Sequence, residues 1–210
     1  MNPPNQPPEL RSAELLDALQ RHRVQFVVVG GFAAQLHGAT RQTKDLDLCP
    51  ARSKDNLDRL AAALHDLAAR LRLPPELGDV EVRANAKLLR EITVTHWRTR
   101  AGDIDVLHAI SGREGKPVGY RELRPRSITV QIDTAIILVA ALEDIITAKE
   151  HANRIKDRQA LPELRALQAR TISNRLPPPA HHPTIAASPS AAPGPPDRST
   201  PSRPPPTLGH

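Results

Sequence analysis

The sequence predicts a mixed α/β (α+β) domain, a mixed β-sheet flanked by helices, and three observations predict it. Apolar helical stripes alternate with short β-branched runs between about Leu10 and Arg170. Two of those runs, Asp45-Leu46-Asp47-Leu48 and Asp103-Ile104-Asp105-Val106, carry an acid at every second position, the period of a strand with one polar face. From Asn174 the composition turns to Pro, Ala, Ser, Thr and Gly, which bury too little apolar surface to offset the entropy of ordering. The expected organisation is a disordered Pro/Asn leader over residues 1–8, a folded domain over 9–172 and a disordered Pro-rich tail over 173–210.

The elements follow in order. Glu9 to Arg21 places Leu10, Leu15, Leu16, Ala18 and Leu19 on one helical face. Gln25 to Val29 is a β-branched run that stops at Gly30-Gly31 and reads as a buried strand. A short helix over Phe32 to His37 ends at Gly38. Asp45 to Cys49 alternates and ends at Pro50, as a strand does. Ser53 caps a helix expected to reach about Arg72, with Pro74-Pro75 as its stop. Glu91 to Thr99 and Gly102 to Leu107 read as neighbouring strands. Ser127 to Ile132 and Ala135 to Val139 read as a hairpin turning at Asp133-Thr134, and helices over Leu142 to Ala152 and Asp157 to Arg170 close the domain.

Composition narrows the setting. The chain has 210 residues with a net charge of +6, which suits a polyanionic partner such as RNA, DNA or a nucleotide. Aromatic residues number four (Phe26, Phe32, Trp97, Tyr120), so the core rests on Leu, Ile, Val and Ala. The single cysteine, Cys49, excludes an intrachain disulfide and reads as a small buried residue at a strand end. The start, MNPPNQPPEL, lacks the pattern of a signal peptide, and the longest apolar run, Ala135 to Leu142, is too short to cross a bilayer. The expected location is the cytoplasm, without membrane association.

The chemistry concentrates at three places. Gly30-Gly31 joins a buried strand to a helix, where backbone can approach a phosphate closely. Asp45 and Asp47 point to one face of their strand, where they repel unless a cation bridges them, and Mg2+ favours such oxygen ligands. Two ions about 3.5–4 Å apart can activate a hydroxyl and stabilise a leaving pyrophosphate. A second alternating strand, about sixty residues on, offers Asp103 and Asp105. Asp105 is the expected third acid because it lies deeper in the strand; Asp103 follows Gly102 and is expected to shape the turn.

The string Val27-Val28-Val29-Gly30-Gly31-Phe32-Ala33-Ala34, followed by His37-Gly38, Arg41, Thr43 and Asp45-Leu46-Asp47-Leu48, resembles the signature of the DNA polymerase β-type nucleotidyltransferases. The later Leu142-Glu143-Asp144, Lys149 and Arg154-Ile155-Lys156-Asp157 are similar to the AbiEii-type toxins of bacterial toxin–antitoxin systems. The resemblance spans about Val24 to Leu167 and implies the nucleotidyltransferase fold. It also implies transfer of a nucleoside monophosphate from an NTP such as ATP to a hydroxyl of tRNA or other RNA, a protein or a small molecule, with release of pyrophosphate. Under it, Asp45, Asp47 and Asp105 are the catalytic, metal-binding acids of a two-ion Mg2+ site. Gly30, Gly31, Thr43, Lys149 and Lys156 hold the nucleotide, with Arg154 a further cation. A cognate toxin or antitoxin protein is an implied partner. The chain has Gly31 where many members of that family have Ser.

Two other readings stand beside this one. The same fold without activity would serve as an antitoxin or regulator that binds nucleotide or a partner protein. An aminoglycoside-modifying enzyme would need an acidic cleft for a cationic sugar, which no sequence feature marks. Elsewhere, His22, His37, His65, His96, His108 and His151 share no metal-ligand spacing, and His37 fits either the phosphate side of the site or a helix end. Trp97 reads as core, and Arg121, Arg124 and Arg126 as a solvated basic loop.

Overall fold

In a computed structural model, which describes residues 9–73 and 82–175, the chain builds a seven-stranded mixed sheet with helices packed on it. The elements are α1 (Ser12–Arg21), β1 (Phe26–Val29), α2 (Gly30–Leu36), β2 (Asp45–Pro50), α3 (Lys54–Asp66), β3 (Arg70–Leu71), α4 (Ala86–Glu91), β4 (Val94–Thr99) and β5 (Gly102–Leu107). Then follow β6 (Ala109–Ser111), β7 (Pro117–Gly119), α5 (Tyr120–Leu123), β8 (Ile128–Ile132), β9 (Ala135–Val139), α6 (Leu142–Ala152) and α7 (Ile155–Arg175). The strand order is β3-β4-β5-β2-β1-β9-β8, and β6 and β7 form a separate hairpin.

The centre of the sheet positions the chemistry. The all-apolar β1 is buried along its whole length, as a central strand between helices must be. It pairs antiparallel with β2, which pairs parallel with β5, so that Asp45 lies opposite Asp103 and Asp47 opposite Asp105. Leu46, Leu48, Ile104 and Val106 point to the other face and are buried, while Asp45, Asp47 and Asp105 are only partly covered. The core is the expected Leu, Ile, Val and Ala mass, joined by Phe26, Phe32 and Trp97. Trp97 is fully buried, and its indole Nε1–H donates to Thr95 Oγ1 at 2.8 Å, so it is core.

Several expected elements differ in extent. The helix expected to run to Arg72 ends at Asp66. Ala68 turns left-handed (φ 51°), with its N–H and that of Ala69 bonded back to His65 and Leu64. Arg70 and Leu71 then pair with Arg98 and Trp97 on β4, because the open edge of β4 satisfies their backbone groups. Glu91, expected to open a strand, is the last residue of α4, which Asn85 caps, and the strand begins only at Val94. Its last helix extends through Arg175, three residues past 172. The leader 1–8, the Pro74-Pro75 stop and the tail from 176 lie outside the described residues. Among the described residues, no helix is long and apolar enough to cross a membrane.

Candidate active site

One cavity of about 540 Å³ is lined by Gly30, Gly31, Thr43, Asp45, Asp47, Asp105, Lys149 and Lys156 together. Sequence separates these residues by more than a hundred positions, and the fold gathers them by three devices. The β1–α2 joint brings the glycines, the β2·β5 pairing brings the acids, and α6 with the start of α7 brings the lysines.

The glycine joint is tight for a steric reason. Gly30 adopts φ +67°, and a Cβ there would lie 1.9 Å from Asp47 Oδ2. Gly31 donates its backbone N–H to that same oxygen at 3.3 Å. A Cβ on Gly31 would lie 2.7 Å from Thr43 Oγ1, so the Thr43 hydroxyl fills the space a side chain at 31 would need. Thr43 Oγ1 in turn donates to Asp45 Oδ1 at 2.5 Å.

The acids repel one another. Burial first, then the charges of Asp45 and Asp105, push the Asp47 carboxyl up from 3.8 to about 7. Asp105 is raised as well, chiefly by burial, against the opposing pull of His96. His96 Nδ1 lies 2.8 Å from Asp105 Oδ1, off the line an aligned hydrogen bond needs, and that buried oxygen has no other donor. The carboxylates are thus each turned to one neighbour within the chain: Asp45 to Thr43, Asp47 to Gly31 and Asp105 to His96. Among the described residues, no group of three or more His, Cys, Asp or Glu side chains already stands as a metal cage.

Asp103 is not a turn-shaping residue. It is buried at 5 % exposure and paired with Arg72 (3.1 Å) and Arg98 (3.2 Å), which tie β5 to the β3–β4 edge. Sequence reading also passed over Asp157 as more than part of a string. Its side chain is fully buried, accepting from Lys149 Nζ at 3.2 Å and Arg154 Nε at 2.6 Å. Burial pushes Asp157 up, but the hydrogen bonds from Arg154 and Lys149 outweigh it and hold the carboxyl below its ordinary value. The cluster aims cations at the acids. Lys156 and Arg154 lie close enough to Asp47 to act on it electrostatically, and both line the cavity. Arg41, Gln42 and Lys44 from the α2–β2 loop complete one wall, and Ala109, Ile110, Ile145 and Ala148 give it an apolar side.

Other candidates lie outside the cavity. His37 caps the end of α2 and pairs its Nε2 with the Ala140 carbonyl at 2.8 Å, outside the cavity. Cys49 is buried beside the His108 carbonyl, and burial pushes its thiol up to about 12. Arg126 is held by Asp144 at 2.7 Å.

No family model and no curated protein matches the chain. Among solved structures it is similar to the lincosamide antibiotic adenylyltransferase LnuA with lincomycin bound, with a TM-score of 0.52 and 11 % identity over 76 % of this chain and 99 % of that one. It is also similar to ANT(2")-Ia in complex with adenylyl-2"-tobramycin, with a TM-score of 0.44 and 16 % identity over 78 % of this chain and 96 % of that one. At such identities the likeness is one of architecture, and the chain has the fold of a nucleotidyltransferase.

Proposed function

We propose that the protein is a metal-dependent nucleotidyltransferase that moves a nucleoside monophosphate from an NTP to an acceptor hydroxyl. The observation that carries this reading is that Asp45, Asp47 and Asp105 line one cavity together with Lys149, Arg154, Lys156 and the glycine joint. Acids and cations lining one cavity suit a triphosphate, since such catalysis is mostly positioning and charge stabilisation.

The residues fit Mg2+ by their chemistry. The donors are all carboxylate oxygens, and their repulsion and burial raise Asp47 and Asp105, a cost that a divalent cation relieves. Asp45, Asp47 and Asp105 would hold it, and when bound it would neutralise triphosphate charge and acidify the acceptor hydroxyl. Gly30 and Gly31 let the backbone approach the phosphates without a Cβ between. Lys149, Lys156 and Arg154 meet the charge of the β- and γ-phosphates and of the pyrophosphate that leaves.

The acceptor oxygen forms its bond to the α-phosphorus as the bond from that phosphorus to the bridging oxygen breaks. The bond pair departs with pyrophosphate. The hydroxyl proton passes to the Asp105 carboxylate, which lines the cavity. Thr43 keeps Asp45 turned toward the glycine joint, so the acid pair is held before substrate arrives.

The toxin–antitoxin setting, with RNA or protein as acceptor and a cognate partner, rests on the Arg41-x-Thr43-x-Asp45-Leu46-Asp47 and Arg154-Ile155-Lys156-Asp157 strings. The test is direct. Full-length protein is incubated with each α-labelled NTP, Mg2+ and a lysate, beside Asp47→Ala. Label entering RNA, protein or a small molecule, lost in the variant, supports the transferase and names the acceptor class. Bound NTP without transfer overturns it in favour of a nucleotide-binding regulator.

A further inference from the structure

The three acids are not supported alike. Asp45 receives the Thr43 hydroxyl from the loop before β2, and Asp47 the Gly31 amide from the start of α2. Asp105 stands on β5, and the side chain that meets it comes from the next strand outward. Antiparallel pairing sets His96 directly opposite Asp105, and their side chains share a face, with Nδ1 2.8 Å from Oδ1. That oxygen is buried without an aligned donor, a costly state for a carboxylate. His96 is itself half-exposed, and neither its ring nor Arg98 beside it lines the cavity. Arg72 and Arg98 give their hydrogen bonds to Asp103, so neither donates to Asp105, although the charge of Arg72 is felt there.

We infer that His96 is a positioning residue for Asp105: its Nδ1–H closes onto Oδ1 and fixes the carboxylate rotamer that presents Oδ2 to Asp47 and the cavity. The inference rests on the nucleotidyltransferase reading, because it gives Asp105 a role in the acid set. A small rotation of the ring aligns the bond, as happens when a site tightens around its ligand. Partners behind ligating carboxylates orient them, and removing one typically weakens metal binding by about tenfold or more.

The test is a Mn2+ titration of the full chain followed by electron paramagnetic resonance, with wild type, His96→Ala, His96→Asn and Asp47→Ala. The Asn amide nitrogen reaches about where Nδ1 lies and restores a donor. His96→Ala is expected to weaken Mn2+ binding by about tenfold, with its melting temperature and circular dichroism near wild type. His96→Asn is expected to recover most of that loss. His96→Ala binding Mn2+ as tightly as wild type overturns the inference while leaving the transferase reading intact, as does nitrogen modulation from an imidazole bound directly to the ion. Wild-type protein that binds no Mn2+, or Asp47→Ala that binds it unchanged, overturns the transferase reading and this inference with it.

Discussion

The Asp47 carboxylate occupies the place where a side chain on residue 30 would begin. Gly30→Ala is therefore expected to cost about 1–3 kcal/mol in denaturant unfolding, because it adds strain at φ +67° and displaces the carboxylate. The same substitution should weaken Mn2+ binding, which calorimetry reads. Asp47 also makes stability depend on pH. Its carboxyl titrates near 3.8 in the unfolded chain and at about 7 in the folded one, so between those values the native state holds a proton that the unfolded state has released. The contribution of this group is complete below pH 3.8 and is lost as pH rises through 7. The metal-free protein should thus lose melting temperature across that window. Asp47→Asn should remove this part of the slope, and added Mg2+ should recover stability at pH 8 more than at pH 5.5. Scanning fluorimetry with and without chelator checks both.

At the scale of elements, two buried acids act as fasteners. Asp103 ties β5 to β3 and β4 through Arg72 and Arg98. Asp103→Asn is expected to cost about 1–2 kcal/mol, discounted because both arginines are more than a third exposed. It should also speed hydrogen exchange at the Arg72 amide, which bonds the His96 carbonyl at the sheet edge. Asp157 fastens α7 to α6 through Lys149 and aims Arg154 at the cavity. The pairing of β4 with β5 was open to reading. A two-residue turn at Arg100-Ala101 pairs Thr99 with Gly102, and counting back along both strands sets His96 opposite Asp105. That signal went unused because a lone histidine on a strand has no spacing to mark it.

At the scale of the whole molecule, the cavity exists because α6 and α7 stand over the sheet where β2 and β5 present their acids. Lys156→Ala removes one cation from the cavity that those acids line. It is expected to weaken NTP binding by about tenfold at low salt, the worth of one charge-assisted contact, and by less at high salt. Isothermal titration at two ionic strengths reads this.

The sequence by itself determined the strands β1, β2, β5, β8 and β9, and that Asp45 and Asp47 share one face of β2 as Asp103 and Asp105 share one face of β5. Periods of 2 and 3.6 are local properties, set by backbone stereochemistry within a few residues. The end of α3 escaped it because Leu67 and Leu71 continue the helical spacing, while the free edge of β4 draws Arg70 and Leu71 into the sheet. Only the tertiary structure decided that β5 lies parallel beside β2, that Asp103 is spent on arginines, and that Asp157 gathers Lys149 and Arg154. Those outcomes depend on which buried charge finds its partner across long stretches of chain, and burial makes each pairing obligatory without leaving a periodic trace in the sequence.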